Sequence, residues 1–141
     1  MTRVDFYISE DPGQSGHRQL ACRLIEKAYR LGKRIYVHTD DAQLSRDFDR
    51  QLWIFRDRSF VPHCRVEELG EDPPPVVIGH DHEPRDVSDL LINLGAAVPA
   101  FFSRFERVAE MVAGDEASRE AGRKRYRFYQ EQGCELDTHR L

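Results

Sequence analysis

Arg119, Arg123 and Arg127 follow one another at four-residue steps near the carboxyl end of this 141-residue chain, and Tyr126 falls among them. On a helix those steps return to one face, so three guanidinium groups and an aromatic ring share a stripe. From 119 to 127 the chain carries five basic residues and one acidic one, on a molecule whose net charge is −4. Like charges four residues apart repel by roughly 0.2–0.5 kcal/mol, and a bound anion would offset that. Guanidinium forks match carboxylates and phosphates in bidentate geometry, while a tyrosine ring offers an apolar wall beside the anion. The ligand that suits this chemistry is an acidic peptide ending in an aromatic residue. A solvated helix face is the competing reading of the same stripe.

Other constellations carry less. His80-Asp81-His82-Glu83 alternates imidazole and carboxylate, and with His63 and Cys64 it could be drawn as a zinc site. Alternating side chains of an extended segment point to opposite sides, however, and the acidic, proline-bracketed run around it reads as a solvated loop. No GxxxxGK[ST] loop occurs, and the turn over 9–16 carries Glu10 and Asp11 where a phosphate would need N–H groups and a lysine. No GxSxG occurs, and His63 beside Cys64 is a pair of chain neighbours, not an oriented base and nucleophile. No catalytic group, metal or cofactor is therefore expected. A nucleotide- or metal-dependent hydrolase stays open as an alternative, because fold does not dictate function. So does a direct single-stranded DNA binder, although the net negative charge and the lone aromatic of the stripe speak against it.

A second candidate surface is Leu52-Trp53-Ile54-Phe55 with Ser59-Phe60-Val61-Pro62-His63, interrupted by Arg56, Asp57 and Arg58. Some of these large apolar side chains are expected at the surface, marking an interface; Trp53 and Phe60 capping a sheet edge is the even alternative.

These residues need a scaffold. With 40% hydrophobic and 33% charged residues, the chain is apolar enough to bury a core, and its length suits a single domain over 1–141. Its mean hydropathy is −0.65. The longest uncharged run, 90–103, contains Asn93, Gly95 and Pro99, so no membrane-crossing segment is expected. Met1-Thr2-Arg3 leads straight into alternating residues without a leader pattern, which predicts a cytoplasmic protein. Cys22, Cys64 and Cys134 are odd in number and far apart, and are read as reduced, mostly buried thiols.

Alternation predicts a strand over 4–8, closed by an Asp-Pro-Gly turn at 11–13. Leu20, Ala21, Leu24, Ile25, Ala28 and Leu31 form a helical stripe from about residue 15, ended by Gly32. A strand over 34–38 and a helix bearing Leu44, Phe48 and Leu52, capped from Thr39-Asp40-Asp41, repeat the unit. The stretch 61–75, with its triple proline, reads as an extended exposed connection. Strands are expected over 76–78, 90–94 and 108–112, with a helical turn at Phe101, Phe102 and Phe105. The last helix starts near Asp115 and stops before Gly133, and its Ala117, Ala121 and Phe128, beside the stem of Lys124, are expected to pack on the sheet. The predicted class is three-layer α/β: a Rossmann-like, mainly parallel sheet with right-handed crossovers, flanked by helices and lacking a phosphate-binding loop.

At these residues the chain resembles the chi-subunit family of the bacterial DNA polymerase III holoenzyme. The likeness rests on Phe6-Tyr7 in the opening strand, Gly32-Lys33-Arg34, Leu52-Trp53 followed by Ser59-Phe60-Val61-Pro62-His63, and Arg123-Lys124-Arg125-Tyr126-Arg127-Phe128-Tyr129 with Gly133 behind it. The resemblance implies a non-catalytic bridge between the psi subunit of the clamp loader and the acidic C-terminal tail of single-stranded DNA-binding protein, with nucleic acid met only indirectly and no membrane. It further implies that the tail site uses Arg123 and Tyr126 with Arg119, Arg127 and a pocket at Val112, and that psi contacts Trp53 and Phe60.

Overall fold

The computed structural model describes residues 2–11, 15–55, 60–85 and 87–140. The predicted turn at 11–13 and the charged triplet at 56–58 lie largely outside them. Period-two alternation becomes β1 (Arg3–Ile8), and the period-3.6 stripe after it becomes α1 (Ser15–Arg30). The unit repeats as β2 (Ile35–His38) and α2 (Ala42–Ile54), whose first turn is capped by the Asp41 carboxylate accepting the Leu44 N–H at 2.9 Å. Leu31, counted above in the helical stripe, sits past the end of α1 and is 67% exposed.

The stretch 61–75 is not one extended connection. It contains β3 (His63–Arg65) and a single 3-10 turn (Val66–Glu68) before the prolines. Only three residues pair, and their polarity matches a sheet edge, which is why no apolar run betrays the strand. Next come β4 (Val76–Gly79), β5 (Leu90–Asn93), a 3-10 turn at Phe102–Arg104, β6 (Arg107–Val112) and α3 (Glu116–Glu131). A further strand, β7 (Glu135–Arg140), follows Gly133, which takes the positive φ of +79° that ends a helix. Its sequence Glu-Leu-Asp-Thr-His-Arg has one apolar residue, so it carries no strand signature.

Among the described residues the seven strands form one all-parallel sheet in the order β3-β4-β2-β5-β6-β1-β7. Leu20, Ala21 and Ile25 of α1 and Phe48 and Leu52 of α2 cover Ile35, Val37, Val76, Ile78, Ile92 and Met111 on one face. On the other face Tyr129 of α3 and the Phe102 and Phe105 segment cover Val4, Phe6, Tyr36, Leu91 and Val108. This is the predicted three-layer α/β class, and the two helical layers leave the β3 and β7 edges of the sheet as its lateral borders.

Candidate functional site

Helix α3 begins at Asp115, whose carboxylate accepts the Ser118 N–H at 3.0 Å; hydrogen bonds from Ser118 hold that carboxyl below its usual range. Its rotation is fixed from beneath. Arg125, on the sheet side, donates from Nε to Glu110 Oε1 at 2.9 Å, and Tyr129 donates to Glu110 Oε2 at 2.5 Å. Asn93 Nδ2 donates to both Glu110 oxygens at 2.9 and 3.0 Å, and Arg125 also reaches the Ala96 carbonyl at 3.1 Å. Burial pushes the Glu110 carboxyl up from its ordinary value; Arg125, Tyr129 and Asn93 pull it back. Every partner is a donor, which is the pattern a carboxylate needs.

The expected packing face of α3 is therefore corrected. Ala117 and Lys124 are exposed and Phe128 is 39% exposed, while Gly122, Arg125 and Tyr129 are the buried positions. A buried ion pair reverses the rule that arginine marks the solvent side. Gly122 brings the helix close: a Cβ there would stand 3.1 Å from Val112 Cγ2 on β6.

That close approach leaves a groove of about 220 Å³ beside α3, over β6, β1 and β7. Val112, Arg119, Arg123 and Tyr126 all line it, so four of the five residues singled out in the sequence meet at one place. Phe6 and Ile8 floor it, and the Phe6 and Tyr126 rings lie 5.3 Å apart. Arg127 is exposed, outside the groove. Its place is taken by Thr138 and Arg140 of β7, which no sequence signal pointed to because β7 itself was unmarked. Arg123 pairs with the exposed Glu116 at 3.1 Å. Arg119 has no ion-pair partner among the described residues, and its Nε is buried without a hydrogen bond. The groove is a small apolar trough rimmed by guanidinium groups, suited to a short anionic segment with an apolar end.

Trp53 and Phe60 lie beside the opposite edge of the sheet. They are 47% and 66% exposed with ring centroids 5.4 Å apart, and Ile54 next to them is 73% exposed. The two rings touch each other beside the sheet edge and both are partly open to solvent. Trp53 also packs on His63 at 4.1 Å. The buried His63 ring is engaged with the Val61 carbonyl at 2.7 Å and Asp49 at 3.2 Å. Of the other residues named for a zinc site, His80 Nδ1 lies 3.3 Å from Ser45 Oγ and Glu83 pairs with Arg104 at 3.1 Å. Among the described residues, no cluster of three His, Cys, Asp or Glu side chains could hold a metal ion.

A cavity of about 310 Å³ opens at the carboxyl ends of β2, β5 and β6, where folds of this class bind nucleotides. Two charged side chains lining it are committed internally: Arg125 to Glu110, and Asp40 to the Ala96 N–H at 3.0 Å. All three cysteines are free, with Cys22 buried and the other two half-buried. No helix among the described residues is long and apolar enough to cross a membrane.

A family model described as DNA polymerase III chi subunit, HolC, matches residues 1–137. The chain is 45% identical over 141 residues to a Pseudomonas aeruginosa protein named DNA polymerase III subunit chi, covering 100% of this chain and 98% of that one. A protein of the same name from Haemophilus influenzae is 30% identical over 138 residues, covering 96% of this chain and 94% of that one. Another from Escherichia coli is 29% identical over 144 residues, covering 98% and 97%.

Proposed function

The chain belongs to the DNA polymerase III chi subunit family, and on that premise we propose that it bridges two protein partners during DNA replication. A chi subunit is an accessory part of that polymerase and is not itself catalytic. One partner is the acidic C-terminal tail of single-stranded DNA-binding protein, taken up in the α3 groove; the other is the psi subunit of the clamp loader, met at Trp53 and Phe60.

The observation that carries this reading is the convergence of Val112, Arg119, Arg123 and Tyr126 on one trough. The tail's terminal carboxylate meets Arg123, whose intramolecular contact to Glu116 is exposed and readily exchanged. Its last apolar side chain enters beside Tyr126 and Val112, and an acidic residue lies along Arg119. Arg127, on the outer side of the helix, contributes long-range attraction, not a direct contact. Such a site supports micromolar binding, about 8 kcal/mol, weakened by salt.

Isothermal titration of the protein with a short acidic peptide ending in phenylalanine tests the reading. Arg123→Ala is expected to lose roughly 1–3 kcal/mol of tail affinity while psi binding is unchanged. Unaltered tail binding in that variant removes Arg123 from the site. Binding of bare single-stranded oligonucleotide as tightly as the peptide overturns the indirect role.

A further inference from the structure

Resting on the tail-groove reading, we propose that Arg140 on β7 is a second anion contact of that groove, one that selects tails carrying an acidic side chain close to the terminal residue. Strand register puts it there. Ile8 of β1 is paired with Val112 of β6 on one side and with Arg140 of β7 on the other, so the three form a row across neighbouring strands. Side chains alternate along a strand, and Leu136, Thr138 and Arg140 share the face that α3 covers. Glu135 and Asp137 fall on the opposite face, where Arg3 engages them, Asp137 at 2.5 Å. Arg140 consequently has no acidic partner among the described residues, and it lines the groove from the side opposite the helix.

Arg123 lines the trough from the helix and Arg140 from β7, two strands away from Val112. With the terminal carboxylate held by Arg123, the unpaired guanidinium of Arg140 is matched to a second anionic group, and a carboxylate on a neighbouring side chain of the same peptide provides it.

The test is a double-mutant cycle on the full chain, read by isothermal titration. Three peptides are used: the acidic peptide ending in phenylalanine, its form with every acidic side chain changed to Asn, and its form with the terminal carboxylate amidated. Arg140→Ala is expected to weaken the acidic peptide about tenfold, to leave the Asn form unchanged and to retain the loss for the amidated form. Arg140→Lys is expected to fall between. Equal binding by wild type and Arg140→Ala, or an equal loss on all three peptides, overturns the assignment of Arg140 and leaves the tail groove standing. Failure of the wild-type protein to bind the acidic peptide overturns the groove itself, and this assignment with it. A melting curve for Arg140→Ala that matches wild type shows that affinity, not folding, was read.

Discussion

Glu110 and Arg125 meet at 2.9 Å in the interior, with side chains 0% and 7% exposed, and their contact sets which way α3 faces. With Arg125 turned to the sheet, the helical repeat carries Arg119, Arg123 and Tyr126 to the groove side. The pair is bonded to neighbours within the fold, and it positions the residues that line the groove.

Arg125→Met leaves the Glu110 carboxylate buried beside Asn93 and Tyr129 without its cation, and is expected to cost about 3–5 kcal/mol of stability. Adding Glu110→Gln to it should recover part of that loss, because the uncompensated charge is gone. Urea unfolding of the two variants checks the order; a double variant less stable than Arg125→Met would show that the ion pair is not the origin of the effect.

Gly122 is where α3 comes nearest to β6. A Cβ in any other residue would meet Val112 Cγ2 at 3.1 Å and Cγ1 at 3.3 Å, so a side chain there must push Val112 or the helix aside. Gly122→Val is expected to lift the helix, destabilise the fold by about 1–3 kcal/mol and weaken tail binding through the displaced Val112 and Tyr126. Thermal melts and peptide titration measure the two effects separately.

Acid sensitivity should arise at β1. Burial raises the Asp5 carboxyl, but hydrogen bonds from Arg107 at 2.7 Å and His139, with the charges of Arg107 and Arg3, outweigh it and leave its pKa below 3.8. The unfolded chain then takes up the proton first as pH falls, so this contribution is complete above the ordinary carboxylate value and is lost on acidification through the folded one. Wild type should exceed Asp5→Asn by roughly 1–3 kcal/mol near neutral pH, with the gap closing below about pH 4. Parallel denaturation curves at several pH values give the comparison; a gap that persisted to pH 2 would exclude Asp5 as the source.

Much of the scaffold was legible because its elements bury apolar residues with a clear period: Val4 and Phe6, the α1 stripe, Phe48 and Leu52, and the run at Leu90–Asn93. The two edge strands were not, since β3 and β7 pair on one side only and need no continuous apolar face. The cationic stripe was legible as local charge. Its membership was not: Arg125 looks like Arg123 in the sequence, and only the Glu110, Asn93 and Tyr129 side chains arriving from elsewhere in the chain make it interior. Arg140 was invisible for the same reason, since its place depends on pairing with Ile8, far away in sequence.

The second surface yields a prediction that needs no label. Trp53 is the single tryptophan of the chain and half its surface is open, so its fluorescence reports directly on a partner covering the patch. Addition of psi should shift the emission to the blue and reduce quenching by acrylamide. Phe60→Ala removes the ring 5.4 Å from Trp53 and should weaken that association by about 2 kcal/mol or more, as expected for an aromatic at the centre of an interface. Because Phe60 is 66% exposed, the melting temperature should barely move. The patch lies at the β3 border of the seven-stranded sheet and the α3 groove over β6, β1 and β7, four to six strand spacings away or roughly 20–30 Å at about 4.8 Å per strand, too far to share contacts. The losses from Phe60→Ala and Arg123→Ala should therefore be additive when both partners are present. Release of the acidic peptide on addition of psi would show instead that the two surfaces overlap or communicate.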